Sequence, residues 1–394
     1  MRKISAQYPE DVDAAAFTSL ALQMMEYAAP MPAAQRRAVR DEAITIAEKI
    51  YAVQPRHPGA VHYLIHATDD PAFATRGIGA ARTYALVAPA SEHALHMPSH
   101  IFLQLGYWDE VANSNERAWA ASRAEVEEKK LTGADLSFHD LQWLQYAYLQ
   151  TGRYKAARAL IDTARAALAD EDLNNGMHID ARYAVGNLQF MYAAHTGDWT
   201  GAACRRPNES MYQQQPRSER ERTFILMLAY QAAVSAAQCG DTLAPAIQYV
   251  RKQAGSLPTD DRSRATFLNA QLHVDAILAQ KQGNYNRAIE LLSAEATGLV
   301  RPPVGPPAFL RTHELLGEAL LKNGQPSAAA TAFTRALELT PNRAAALIGL
   351  ARARSAAGDQ GAAAVAYRQL MTNWRQADTD LAELAEVRNG SEAR

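Results

Sequence analysis

The chain has 394 residues, 48% of them hydrophobic and 21% charged, and is long enough to bury one large core or several. Forty Lys and Arg against 42 Asp and Glu leave a formal charge of −2, which argues against nucleic acid as a partner and against an acidic solvating tail. Two cysteines, Cys204 and Cys239, make neither a disulfide framework nor a thiolate metal site, and they suit a reducing compartment.

Apolar residues recur at helical spacing almost throughout, alanine is abundant, and no stretch alternates with β-branched enrichment, so the fold class is all-α. The first nine residues carry Arg2 and Lys3 with no apolar run behind them, which does not read as a secretory signal and points to the cytoplasm. Residues 11–26 and 33–52 pair as a hairpin joined through Pro30 and Pro32. Residues 58–68 and 76–88 form a second, joined through Asp69-Asp70-Pro71. Pro58 is a favourable first helical residue, and Pro98 should kink or restart the helix that follows.

From Gly106 onward a turn glycine, an aromatic two residues later and a small residue five later recur. The sets are Gly106/Trp108/Val111, Gly152/Tyr154/Ala157, Gly197/Trp199/Ala202 and Gly283/Tyr285/Ala288, with Gly240 keeping the spacing without the aromatic. Near the C-terminus, Leu316, Gly324, Ala329 and Phe333 repeat 34 positions later as Leu350, Gly358, Ala363 and Tyr367. A 34-residue helix-turn-helix period is the tetratricopeptide signature, so the expected architecture is a right-handed superhelical solenoid of eight to nine stacked hairpins. Trp108, Trp199 and Tyr285 are then packing residues.

Between these units, Arg205 to Arg222 reads as a polar, solvated connection rather than a lid. Phe224 to Ala237 is too short for a membrane span and reads as a buried helix. Arg301 to Pro307, with four prolines, cannot continue a helix. It separates an expanded array over 1–300, carrying the histidine-rich segment 57–100, from a regular repeat pair with a capping helix and tail over 308–394.

Of 11 histidines, six (His57, His62, His66, His93, His96 and His100) fall within residues 57–100, where an even spread would place about one. His62 and His66 are one helical turn apart on one face. His93, His96 and His100, spaced three and four, share a face of the next helix. Neutral imidazoles converging in this way suit a transition metal, Zn, Cu or Fe, rather than Ca or Mg. First-choice ligands are His62, His66, His96 and His100, with His57, His93 and His139 in reserve. The His-x-x-x-His spacing matches the zinc-protease helix, but Tyr63 stands where that chemistry needs its Glu, so peptidase activity is not supported. Tyr63 and Glu92 are weak candidates for an acid or base. The same histidines also fit a purely structural role, with His57 against Pro58, His62 and His66 satisfying local carbonyls, and the other three at a helix terminus and hairpin interface. Asp69 and Asp70 read as turn formers rather than ligands. Arg182 and Tyr183, near His178, have no partner readable from sequence.

The run His57-Pro58-Gly59-Ala60-Val61-His62-Tyr63-Leu64-Ile65-His66-Ala67 resembles a family of bacterial tetratricopeptide-repeat proteins, most without an assigned function. The segments His96-Met97-Pro98-Ser99-His100-Ile101-Phe102 and Tyr146-Ala147-Tyr148-Leu149-Gln150 carry the same resemblance, which covers roughly residues 8–200. It implies the fold and hardly a reaction. Members usually have a helical segment ahead of the position of Tyr8, so this chain reads as a short or truncated member. The resemblance also implies that the first helix of each hairpin lines a concave groove. Counting ten back from each turn glycine then gives a polar groove column of His96, Gln142, Asn187, Tyr230, His273 and Glu314, with Tyr146 beside it. Two functions follow. One is a metal-dependent protein, with an enzyme acting on a small molecule as its sharpest form. The other is a scaffold binding a peptide or protein in the groove, without catalysis; Asn187 and Arg311 are too few polar and cationic positions there for a carboxylate clamp.

Overall fold

The computed structural model describes residues 1–28, 31–169, 171, 179–204, 219–241, 244–256, 262–296, 305–307 and 310–392. Helices and turns account for the regular structure of the described residues, with no strand among them. The expected hairpins are present as Val12–Ala28 with Ala33–Val53 and Pro58–Thr68 with Ala74–Val87. Pairs of the same kind continue to Ala344–Ala356 with Gln360–Asn373. All seven turn glycines, Gly106, Gly152, Gly197, Gly240, Gly283, Gly324 and Gly358, have φ between 69° and 86°. Only glycine takes that conformation at no steric cost, which is why the motif could be read from the sequence.

The chain divides into two compact units, Met1–Lys130 and Leu131–Arg394. The first is held by an alanine-rich seam in which Ala43, Ile44, Ala60, Val61 and Ile65 are fully buried. Gly77 lets the Ala74–Val87 helix press onto its neighbours: a Cβ there would lie 2.1 Å from Thr68 Oγ1 and 2.9 Å from Ile101 Cδ1. That approach ties the Pro58–Thr68 helix, which carries His62 and His66, to the Pro98–Gln104 helix, which carries His100. Pro98 does restart its helix. Glu92–His96, capped by the Ser91 side chain on Ala94 N, ends at Met97, and Pro98, lacking an N–H, opens the next helix.

In the second unit, the Phe138–Gln150 helix packs against the C-terminal repeats. The Gln150 side chain accepts from Ala344 N at 3.0 Å, and the Asp378 N–H donates to the Gly152 carbonyl at 3.0 Å. The Glu219–Gln238 helix is the buried helix expected over 224–237, with Ala229, Ala233 and Val234 fully enclosed. It begins at Glu219, so the end of the expected 205–222 loop is helical, and the remainder lies outside the described residues, as do residues 301–304 and His178. Leu384–Glu392 is the capping helix, with Val387 in the core of the last repeats. No described helix is long and apolar enough to cross a membrane.

The cysteines require a correction. Cys204 and Cys239 are joined by a disulfide with Cα atoms 5.9 Å apart. Cys204 ends the short helix after the Gly197 turn and Cys239 immediately precedes the Gly240 turn, so packing of neighbouring elements brings together residues 35 positions apart. A disulfide persists in oxidising compartments and gives no support to the reading of a reducing one.

Candidate metal centre

Five of the six clustered histidines meet in the first unit. On the Pro58–Thr68 helix, Val61, Leu64 and Ile65 face the core, which turns His62 and His66 to the opposite side. Their rings lie 4.7 Å apart, and His62 also stacks on Tyr84 at 5.3 Å. His93 approaches from the next helix with its Nε2 3.0 Å from His62 Nε2. One ring nitrogen from each of His62, His66 and His93 lies within 4.8 Å of the others. His96 and His100 straddle the helix restart, with Nε2 atoms 3.1 Å apart, and the His100 ring is 6.2 Å from that of His66.

The partners of the far nitrogens decide what this pair presents. Asn115 donates through Nδ2 to the Val111 carbonyl, so its Oδ1 faces His96 Nδ1 at 2.7 Å and must accept from it. Asp69 Oδ2 lies 2.7 Å from His100 Nδ1, while its Oδ1 accepts from Gln104 Nε2 at 2.9 Å. Burial pushes the Asp69 carboxyl up, but His100, Gln104 and His66 outweigh it and hold the group below the usual carboxylate range. As an ionised acceptor it takes the His100 Nδ1 proton. Both tautomers therefore aim an Nε2 lone pair at the same place, an arrangement that repels itself until a cation or a proton lies between them. Two nitrogens about 2.0–2.1 Å from one ion stand roughly 2.9–3.4 Å apart at ordinary coordination angles, so the spacing fits a shared metal.

Titration supports neutral donors. Burial, with the neighbouring imidazoles, lowers His62 and His96 to about 3 and His66 to about 4. His66 keeps an edge open to solvent, so screening shrinks its share. An unfolded chain takes up these protons below about pH 6.5, whereas the folded one refuses them until pH 3–4. The metal-free protein should therefore lose stability progressively as pH falls from 6.5 towards 4. Urea midpoints at pH 7.5 and pH 5 check this, and an unchanged or higher midpoint at pH 5 would contradict it.

The other sequence candidates are placed as follows. His57 is the N-cap of its helix, its Nδ1 accepting from Ala60 N at 3.2 Å, and its Nε2 is 3.2 Å from Asp13. His139 stands on the Phe138–Gln150 helix of the second unit, 5.8 Å from the Trp143 ring. Tyr63 packs between His62 and Phe17, and Glu92 opens its helix, where its charge partly offsets the downward shifts of His93 and His96. Asp70 is the turn former expected, with Oδ1 accepting from Ala72 N. In the polar column, Tyr230 and His273 are buried rather than open to a groove. The Tyr230 hydroxyl bonds His273 Nδ1 at 3.0 Å and accepts from Leu310 N. Asn187 is buried too and accepts from Gln231, Tyr146 accepts from Arg343, and Gln142 is half-buried. Three residues of the site were not anticipated in their roles: Asn115, Gln104 and Asp69 as the group that orients His100. A fully buried Asn on the apolar side of the Trp108–Glu128 helix was the available signal.

The sequence pattern of the tetratricopeptide repeat family matches residues 314–378, which take in most of the two hairpins from Thr312–Lys322 to Gln360–Asn373. Residues 314–378 contain no histidine, so the match speaks for the scaffold and not for the cluster. Among solved structures, the P58(IPK) TPR domain is 15% identical, with 96% of this chain and 99% of that one covered and a TM-score of 0.26. Yeast Tom70 is 11% identical over 95% of each chain, with a TM-score of 0.30. No curated protein matches the chain in sequence.

Proposed function

We propose that this helical-repeat protein binds a transition-metal ion through the imidazoles of its first unit, with His96 and His100 as the oriented pair and His62, His66 and His93 as a neighbouring donor group. The observation that supports this reading most is the double tautomer lock: Asn115 on His96 and Asp69 on His100 leave two Nε2 atoms 3.1 Å apart facing one another. All-nitrogen donors suit Zn, Cu or Fe. Bound there, the ion would supply Lewis acidity to a small-molecule oxygen or to water. The chain's own part is to orient the imidazoles, keep them neutral and shield one side of them with Tyr84 and the Ala74–Val87 helix.

Equilibrium dialysis of metal-free protein against Zn²⁺ and Ca²⁺ tests the reading. Retention of Zn²⁺ and not Ca²⁺ is expected, and equal retention of both, or of neither, would overturn it. The scaffold reading draws on the tetratricopeptide repeats at 314–378. It is favoured instead if a peptide partner is captured by protein whose His62 and His66 are both alanine.

A further inference from the structure

The second unit carries a partly open cavity of about 290 Å³ that the metal reading does not use. Its walls come from residues far apart in sequence: Tyr146 and Leu149, Phe190 and Met191, Arg311 and Glu314, and Arg343. Arg343 is satisfied, since its Nε and Nη2 clamp the two oxygens of Glu314 and its Nη1 donates to the Tyr146 hydroxyl at 2.6 Å. These two charges cancel. Arg311 is not satisfied in the same way: its Nε and Nη2 are sealed from solvent and have no hydrogen-bond partner. Glu318, the other carboxylate on the wall, does not reach that edge.

The Nε and Nη2 edge is the side of a guanidinium whose two parallel N–H groups match the two oxygens of a carboxylate. Elsewhere in this chain the same edge is used in that way: Arg2 holds Glu42, Arg40 holds Glu26, Arg76 holds Glu48 and Arg352 holds Glu386, each through Nε and Nη2. On Arg311 the edge is buried with no carboxylate opposite. Burial lowers its pKa and Arg343 adds to this, while Tyr146, which also hydrogen-bonds it, and Glu314 pull the other way; an arginine stays charged at neutral pH, so a desolvated cation keeps two idle donors at Nε and Nη2. Two buried charged donors left without acceptors are costly, and a missing anion explains them.

We infer that this cavity binds a small monocarboxylate whose oxygens take the Nε and Nη2 donors of Arg311 and whose apolar body rests on Leu149, Phe190 and Met191. The volume holds roughly ten water-sized groups, which suits a compact aryl or alkyl acid better than a length of peptide. The inference does not depend on the metal, whose proposed ligands belong to the first unit.

Phenylacetate is the probe, with phenylacetamide as its uncharged isostere, inorganic phosphate as a different anion, and a short peptide with a free or amidated C-terminus as the alternative source of a carboxylate. Titration calorimetry on the full chain should show phenylacetate binding and no heat from phenylacetamide. Arg311→Met should weaken phenylacetate by at least about tenfold, and Arg311→Lys, which keeps the charge and loses the fork, should also weaken it. An unchanged helical circular-dichroism spectrum and urea midpoint in both variants show that they fold. No phenylacetate binding, equal binding of the amide, undiminished binding to Arg311→Met, or preference for phosphate or for the free peptide C-terminus would each overturn the proposal.

Discussion

Replacing His100 by alanine should lower zinc affinity by at least about a hundredfold, and Asp69→Asn by about ten- to a hundredfold although Asp69 is not a ligand. His100 supplies one of the two facing Nε2 atoms, so its loss removes a donor outright. The Asp69 effect is the more telling. An asparagine can turn its amide to donate to His100 Nδ1, which moves the imidazole proton to Nε2 and cancels the lone pair the metal needs. Asp69 also holds Gln104, so the variant should be checked by circular dichroism for an unchanged helical spectrum. His96→Ala should match His100→Ala in affinity, but it empties a site that is 2% exposed and leaves Asn115 without its partner, so it should also cost stability. Competition with a chromophoric zinc chelator reads all three. Parental affinity in His100→Ala or in Asp69→Asn would mean that the oriented pair is not part of a metal site.

Arg343→Met should destabilise the protein by about 3–5 kcal/mol, because it strips the buried Glu314 carboxylate of the guanidinium that clamps both its oxygens and removes one donor from the Tyr146 hydroxyl. Arg343 and Tyr146 are 197 positions apart, so this contact, with that of Gln150 to Ala344 N, joins the first helix of the second unit to its last hairpins. The double variant Arg343→Met with Glu314→Leu removes both charges together and should recover much of the loss. Urea unfolding of the single and double variants separates a broken ion pair from simple loss of packing. A single variant within about 0.5 kcal/mol of the parent would contradict the buried pairing.

The hairpins were legible in the sequence because their determinants are local. The turn glycines announce positive φ, Pro58 and Pro98 announce helix starts, and Asp70 announces the joint between two helices. The histidine faces were legible for the same reason, since three- and four-residue spacings survive into the helix unchanged. What the spacings did not carry is the partner of each group. Asp69 looks like a turn residue from its neighbours, and only packing of the Pro58–Thr68 helix on Pro98–Gln104 brings it to His100. His57 belongs to the same dense run as His62, yet the backbone uses it as a cap. Cys204 with Cys239, and Tyr146 with Arg343, are tertiary pairings that no local pattern encodes. Tyr230 and His273 show a further limit: a polar residue in a column of first-helix positions is buried when its neighbour supplies a hydrogen-bond partner.

In the proposed function, the facing Nε2 atoms of His96 and His100 share one ion. Elemental analysis of protein purified without a histidine tag and without chelators tests it most directly. About one equivalent of Zn, Cu or Fe per chain, lost together with His100→Ala, is predicted. Less than about a tenth of an equivalent of any transition metal in the parental protein would contradict the account.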